Sequence, residues 1–292
     1  MRPCHVVQIE TPKHILLDGV WLGPKKARTV VILIHGLGGT FWRRIGLIES
    51  LANSNAAVLA FNNRGHDRIS RLVHTGERKI GKTSWAGGAC EVFTDCVDDL
   101  EGAVRFARKQ GARRIFLAGH STGSQKAVYY ARKKGSSLVK GLILMVPLSD
   151  YSVALRDDKN GMLARATRVA RALVRAGKPH ELLPQSIWPA IDDAQRFLSL
   201  YTPDSVEEMF LYAQPNRTPT IFKSVTLPML AMFAGEDEFA DRPATEIAAW
   251  FGKHTRSRKF KSVIVPKAGH GFKGAERGVA AHIRRFIAAS ED

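Results

Sequence analysis

The chain has 292 residues, 45% of them hydrophobic, enough for one large α/β domain with an insertion and in the range of a soluble globular protein. Its formal net charge of +17 would draw anionic surfaces or ligands over long range, yet the cations are scattered, with no helix-turn-helix, finger or RNP spacing and no aromatics alternating with them. That pattern argues against specific nucleic-acid binding, and no apolar run is long enough to span a bilayer, so no transmembrane segment is expected. The first residues lack a basic segment followed by an apolar one, so a cytoplasmic protein is expected. Three cysteines, Cys4, Cys90 and Cys96, have neither a disulfide framework nor metal-ligand spacing. Neither a metal nor an organic cofactor is implied.

Along the chain, residues 6–9 and 15–22 read as a hairpin, and residues 30–34 as a buried strand ending on His35-Gly36-Leu37-Gly38-Gly39, which is too glycine-rich to continue as strand or helix. A helix over 42–53 and a strand over 57–61 follow, then a long polar loop from Asn62 to about Gly88. From 91 to 110, Val92, Val97, Leu100, Val104 and Ala107 recur at helical spacing. Strands at 114–118 and 138–146 flank a helix reaching about Lys133. Apolar strands alternating with helices imply a mostly parallel sheet flanked by helices. Residues 150–226 break that rhythm, being helical and proline-punctuated, and are expected to form a helical cap inserted into a core made of 1–149 and 227–292. Alternation resumes with a strand at 229–234, a helix at 243–252, a strand at 261–265 and a last helix at 274–289.

Gly119-His120-Ser121-Thr122-Gly123 joins a strand to a helix. A serine at the apex of so sharp a turn needs residues without a Cβ two positions to either side, and Gly119 and Gly123 meet that demand. A serine hydroxyl is a poor nucleophile at neutral pH and requires a base and a group to orient the base. His270 follows the last strand and is the candidate base. Asp237 follows the strand at 229–234 and is the first candidate for the orienting acid, with Asp150, Glu238 and Asp241 as alternatives. Donors for a developing oxyanion would be the Thr122 and Leu37 amides, because Gly36 and Gly38 let the second loop approach a substrate closely. Ser121 as an ordinary helix cap, His270 as a surface residue and Asp150 as a helix N-cap are the plainer alternatives. His35 reads as a structural hydrogen-bonder, and the His120 side chain is expected to point away from the pocket. In the insertion, Arg165, Arg168, Arg171 and Arg175 share a helix face that reads as solvated, with attraction of an anionic substrate as the alternative, while Asp157, Asp158, Asp192, Asp193, Glu207 and Glu208 offset its charge.

The elbow, the glycine-rich loop and the order serine, acid, histidine resemble the α/β-hydrolase superfamily across nearly the whole chain. The tracts His-Ser-Thr-Gly-Ser-Gln at 120–125, Pro-Leu-Ser-Asp at 147–150, Gly-Glu-Asp-Glu-Phe at 235–239 and Glu-Val-Phe-Thr-Asp-Cys-Val at 91–97 with Asp99 are similar to an uncharacterised-domain group that includes fungal siderophore esterases. Lys126, where that group usually has an acidic residue, and the arginine-containing tract after Asp150 are departures that bear on the substrate. The resemblance implies an α/β-hydrolase fold and a serine esterase acting through an acyl-enzyme on a small-molecule carboxylic ester, an anionic one being compatible with the charge. Thioester, lactone or C–C hydrolysis or acyl transfer on the same triad, or a non-catalytic hydrolase-fold binding protein, are the other readings, and a homodimer is compatible with any of them.

Overall fold

The computed structural model describes residues 4–53, 55–77, 80–135 and 137–290. In chain order the strands are β1 Cys4–Glu10, β2 Ile15–Leu22, β3 Thr29–Ile34, β4 Ala56–Phe61, β5 Ser70–His74, β6 Thr83–Ala86, β7 Arg114–His120, β8 Val139–Met145, β9 Met229–Ala234 and β10 Phe260–Val265. The α-helices are α1 Ile45–Leu51, α2 Cys96–Lys109, α3 Thr122–Lys134, α4 Asp150–Asp157, α5 Met162–Arg175, α6 Ala194–Tyr201, α7 Thr220–Lys223, α8 Ala244–His254 and α9 Glu276–Ala289. Every residue of β3, β4 and β9 is buried, which is why these segments read as unbroken apolar runs rather than as alternating ones.

The sheet runs β10-β9-β8-β7-β3-β4-β2-β5-β6, with β1 paired to β2. The block from β10 to β4 is parallel, while β1, β2, β5 and β6 are antiparallel additions. Two apolar layers cover its faces. One holds α2, α3 and α8 residues such as Leu100, Val128 and Phe251; the other holds α1 and α9 residues such as Ile48 and Ile283. Every parallel strand therefore delivers its carboxyl end to one rim.

Two expectations change. The stretch expected to be a continuous polar loop up to Gly88 contains the β5–β6 hairpin, whose strands bury only Leu72 and Ala86 and so lack an apolar signature. The helix expected from residue 91 begins at Cys96 after a 3₁₀ turn at Phe93–Asp95, and Glu91 lies before it, 3% exposed.

Residues 150–226, between β8 and β9, contain α4 to α7 and no strand, apart from an isolated bridge between Leu182 and Asp193. Leu163, Ala166, Ala170, Leu183 and Phe197 make a separate apolar cluster there, against which Trp188 and Tyr201 pack. All four arginines of α5 face solvent. The acidic residues expected to offset them are partly internal: Asp192, Asp193, Glu207 and Glu208 are buried and serve partners within the fold. Arg196 of α6, itself fully buried, pairs with Glu207 at 2.6 Å and reaches Glu91 of the core at 3.3 Å. Lys126 of α3 holds the other Glu91 oxygen at 2.5 Å. Glu91 thus bridges two cations from different parts of the chain, and with Glu207 the buried cluster holds two carboxylates against two cations. Burial pushes the Glu91 carboxyl up, and Lys126 and Arg196 outweigh that and hold it below the ordinary value.

Glu91→Leu removes the carboxylate paired with the buried Lys126 and leaves Arg196 with Glu207, and is expected to cost about 3–5 kcal/mol, read from urea unfolding. Because the Glu91 carboxyl is depressed in the folded state, its stabilisation is complete above its ordinary value of 4.5 and is lost as the pH falls through the lowered one. The wild type should therefore lose more stability on acidification than the variant does.

Candidate active site

Ser121 sits between β7 and α3 with φ 54° and ψ −126°, a left-handed conformation that a side chain disfavours by roughly 1–3 kcal/mol. The turn closes because its neighbours are glycines. A Cβ on Gly119 would fall 2.1 Å from the Gly123 carbonyl oxygen, and one on Gly123 would fall 2.4 Å from that of Ile34. A Cβ on Gly36 would meet the Ser121 Cβ at 2.8 Å, so the loop after β3 lies directly against the serine. Leu37 and Ser121 border the same cleft, and Thr122 opens α3, where the first amides have no intrahelical acceptor. This brings the two expected oxyanion donors to the serine's end of the sheet.

His270 borders that cleft, which has a volume of about 410 Å³. Its Nδ1 lies 3.0 and 2.9 Å from the two carboxylate oxygens of Asp237, whose side chain is 4% exposed. A carboxylate only accepts, so Nδ1 carries a proton and donates a hydrogen bond to Asp237, the tautomer that puts the acceptor lone pair of a neutral imidazole on Nε2. Asp237 is aimed in turn, accepting from the Phe239 amide at 3.0 Å. Glu238 has a different place: its Oε2 accepts from the His270 backbone amide at 2.8 Å, a bond that holds its carboxyl below the ordinary range. Asp241 accepts from the Ser152 hydroxyl and pairs with Arg242 at 2.8 Å. Asp150 borders the cleft but contacts Gln125 Nε2, at 3.5 Å, rather than the imidazole. Nor is Asp150 the cap of α4, because Ser149 takes that position and accepts from the Ser152 amide at 3.0 Å.

His120 departs from expectation. Instead of turning away, its ring borders the cleft and meets the His270 ring edge-on at 5.0 Å. The residue before the apex can do this because its Nε2 reaches the His270 carbonyl at 2.8 Å, while Arg44 Nη2 reaches its Nδ1 at 3.1 Å. Arg44 can only donate and the carbonyl can only accept, so His120 is neutral with its proton on Nε2. Burial and the Arg44 charge both lower its basicity, in agreement with that tautomer. Arg44 Nη1 also donates to the Gly271 carbonyl at 2.7 Å. The loop carrying His270 is thus clamped by Arg44 and His120 through its carbonyls and by Glu238 through an amide. Phe239 adds an edge-on ring contact with His270 at 4.9 Å. No residue pattern near Arg44 announces this clamp; its partners lie far apart in the chain.

His35 holds the glycine-rich loop. Its Nδ1 donates to the Gly36 carbonyl at 2.9 Å and its Nε2 accepts from the Asn63 amide at 3.0 Å. Burial lowers it to about 3, so it remains neutral. Asn63 Oδ1 accepts from Lys126 at 3.2 Å, joining the loop to the buried Glu91 pair.

A family model described as a protein of unknown function, DUF1749, matches residues 82–288. The chain belongs to that family. It is also similar to a curated Bacillus subtilis (strain 168) protein named phospholipase YtpA, with 23% identity over 238 residues that make up 76% of this chain and 80% of that one. Among solved structures, the Pyrococcus furiosus esterase Pf2001 superposes with a TM-score of 0.62 at 17% identity, covering 99% of this chain and 91% of that one. Est1E from Butyrivibrio proteoclasticus, solved with ferulic acid, superposes with a TM-score of 0.61 at 19% identity, covering 97% and 98%. The architecture of this DUF1749 member is the α/β-hydrolase fold.

Two outcomes test the geometry. Loss of the clamp in His120→Ala should lower kcat about tenfold or more on any ester the protein turns over, with KM little changed, since a displacement of about 1 Å is enough for such a loss. Burial and the neighbouring Glu207 charge raise Asp150 from 3.8 to about 7, and burial raises Glu208 from 4.5 to about 8. Raised carboxyls stabilise the fold fully below their ordinary values and lose that contribution as the pH rises through the raised ones. The thermal midpoint should therefore fall between about pH 5 and pH 8, and fall less in Asp150→Asn and Glu208→Gln.

Proposed function

We propose that the protein is a serine esterase that hydrolyses a small-molecule carboxylic ester through an acyl-enzyme. The observation that carries this reading is a single cleft bordered by a strained apex serine and an imidazole whose far nitrogen is held by a buried carboxylate. Ser121 Oγ attacks the ester carbonyl as His270 Nε2 takes its proton. The Leu37 and Thr122 amides hold the oxyanion, and the protonated His270 then delivers its proton to the departing alcohol. A water activated by the same Nε2 attacks the acyl-enzyme, and breakdown of the second tetrahedral intermediate releases the acid and restores Ser121. Asp237 keeps the imidazole in the reactive tautomer throughout. No step calls for a cofactor.

Residues 150–226 act as a cap in this reading, since Asp150 and Val153 of α4 border the cleft. Among the described residues Arg43 is an exposed cation at the cleft without an ion-pair partner, which favours an ester carrying an anionic group. The names of two of the similar proteins, an esterase and a phospholipase, support ester hydrolysis as the reaction class.

Ser121→Ala, His270→Ala and Asp237→Asn should each lower turnover of a p-nitrophenyl ester by about 10⁴-fold, and the first two should abolish labelling by a fluorophosphonate probe. Full activity in Ser121→Ala would overturn the reading. A loss in Asp150→Asn without one in Asp237→Asn would move the acid to the end of β8.

A further inference from the structure

The rim that holds the cleft also holds an apolar and cationic surface that ester hydrolysis does not use. Among the described residues β5 joins β2 through two residue pairs, Ile15 with His74 and Leu16 with Val73. Leu16 also pairs with Glu10 of β1, so β5 occupies the edge of β2 opposite β1. β4 takes that same edge over Gly19 to Leu22, with its last residue, Phe61, opposite Gly19. The β5–β6 hairpin therefore stands beyond the carboxyl end of β4, at the rim where the parallel strands deliver Leu37 and Ser121.

On and beside this hairpin Trp85 and Ile80 are each 70% exposed, Ile69 is 52% exposed and Leu182 of the insertion is 50% exposed. Ile69, Trp85 and Leu182 border one largely apolar cavity of about 640 Å³, so they form a continuous patch rather than isolated surface residues. Cations accompany them. Arg71 lies opposite Trp85 in the register and stacks on the indole at 4.8 Å, and Lys82 is exposed one strand position before β6. Residues 70–86 carry Arg71, Arg78, Lys79 and Lys82 against one carboxylate, Glu77.

We infer that the β5–β6 hairpin docks on an anionic phospholipid surface, with Trp85 and Ile80 entering the interface and Arg71 and Lys82 meeting lipid phosphates. Apolar bodies flanked by cations match a layer that is hydrocarbon below and phosphate above. A neutral apolar partner would leave the cations without a role, and a polyanion such as nucleic acid would leave Ile80 and Ile69 without one. β6 has four residues, too short an edge to favour strand pairing with another chain. The chain leaves β6 through Gly87 and Gly88, and the Gly88 amide donates to the Asp67 carbonyl at 2.8 Å, while the Asp67 amide donates to the Gly39 carbonyl at 3.1 Å. A Cβ on Gly88 would lie 2.8 Å from the Gly38 nitrogen. Docking therefore sets the loop beside Ser121 close to the lipid surface.

The test is cosedimentation of the full chain with phosphatidylcholine vesicles and with vesicles containing about 30% phosphatidylglycerol, at low and high salt. The wild type should bind the anionic vesicles at least about tenfold more tightly, and lose that preference in salt. Trp85→Ser with Ile80→Ser, and separately Arg71→Glu with Lys82→Glu, should each weaken binding about tenfold. The single change Lys82→Glu, on an exposed side chain, should weaken it in the same direction without loss of fold, checked by circular dichroism. Hydrolysis of a soluble short-chain ester should be unchanged in all these variants, and Ser121→Ala should bind vesicles as the wild type does, so failure of docking and failure of the esterase reading are separable. Equal binding to both vesicle types, no binding, or wild-type binding by the charge-reversed variants would overturn the inference.

Discussion

Three segments meet backbone to backbone around Ser121, and the site depends on their being able to do so. The end of β3 touches the start of α3 where Gly123 faces the Ile34 carbonyl, the end of β7 touches α3 where Gly119 faces Gly123, and the loop after β3 touches the serine at Gly36. Any side chain at these glycines would part the segments by more than a hydrogen-bond geometry tolerates. Packing at this junction is accordingly steric before it is polar. The left-handed serine follows from it, as does the nearness of the glycine-rich loop to its hydroxyl.

Charge is organised differently inside and outside. The arginines of α5 are solvated, whereas Lys126, Arg196, Glu91 and Glu207 are taken out of water and made tolerable by mutual pairing. Lys126 also touches Asn63, which touches His35, which holds the Gly36 carbonyl, so the buried cation is two side chains away from the loop beside Ser121. The histidines show the same division of labour. His35 and His120 are buried, neutral and committed to backbone partners, while His270 turns its Nδ1 to the Asp237 carboxylate.

Much of this was legible in the sequence because steric demands leave fixed residue types behind. Continuous apolar runs marked β3, β4, β8 and β9, and paired glycines marked the elbow. The strand ends placed His270 and Asp237 on one rim. What escaped notice had no local signature. β5 and β6 alternate around only two buried side chains, and an isolated hairpin with a mostly polar face looks like loop. Burial of Glu91 between two cations depends on α3 and α6, which are distant in the chain, so nothing in its own segment signals it. The orientation of His120 has no local signature either, because it depends on Arg44, which arrives from a segment 76 residues earlier.

The ion pair between Arg196 and Glu91 makes the insertion something other than an interchangeable part. An insertion lying on the core through apolar contacts alone could be exchanged or trimmed with little consequence underneath, since greasy surfaces adapt to new neighbours. Here Arg196 of α6 shares its charge between Glu207 of its own segment and Glu91 of the core, so exchanging residues 150–226 for a segment without a matching cation would leave the buried Glu91 facing Lys126 alone.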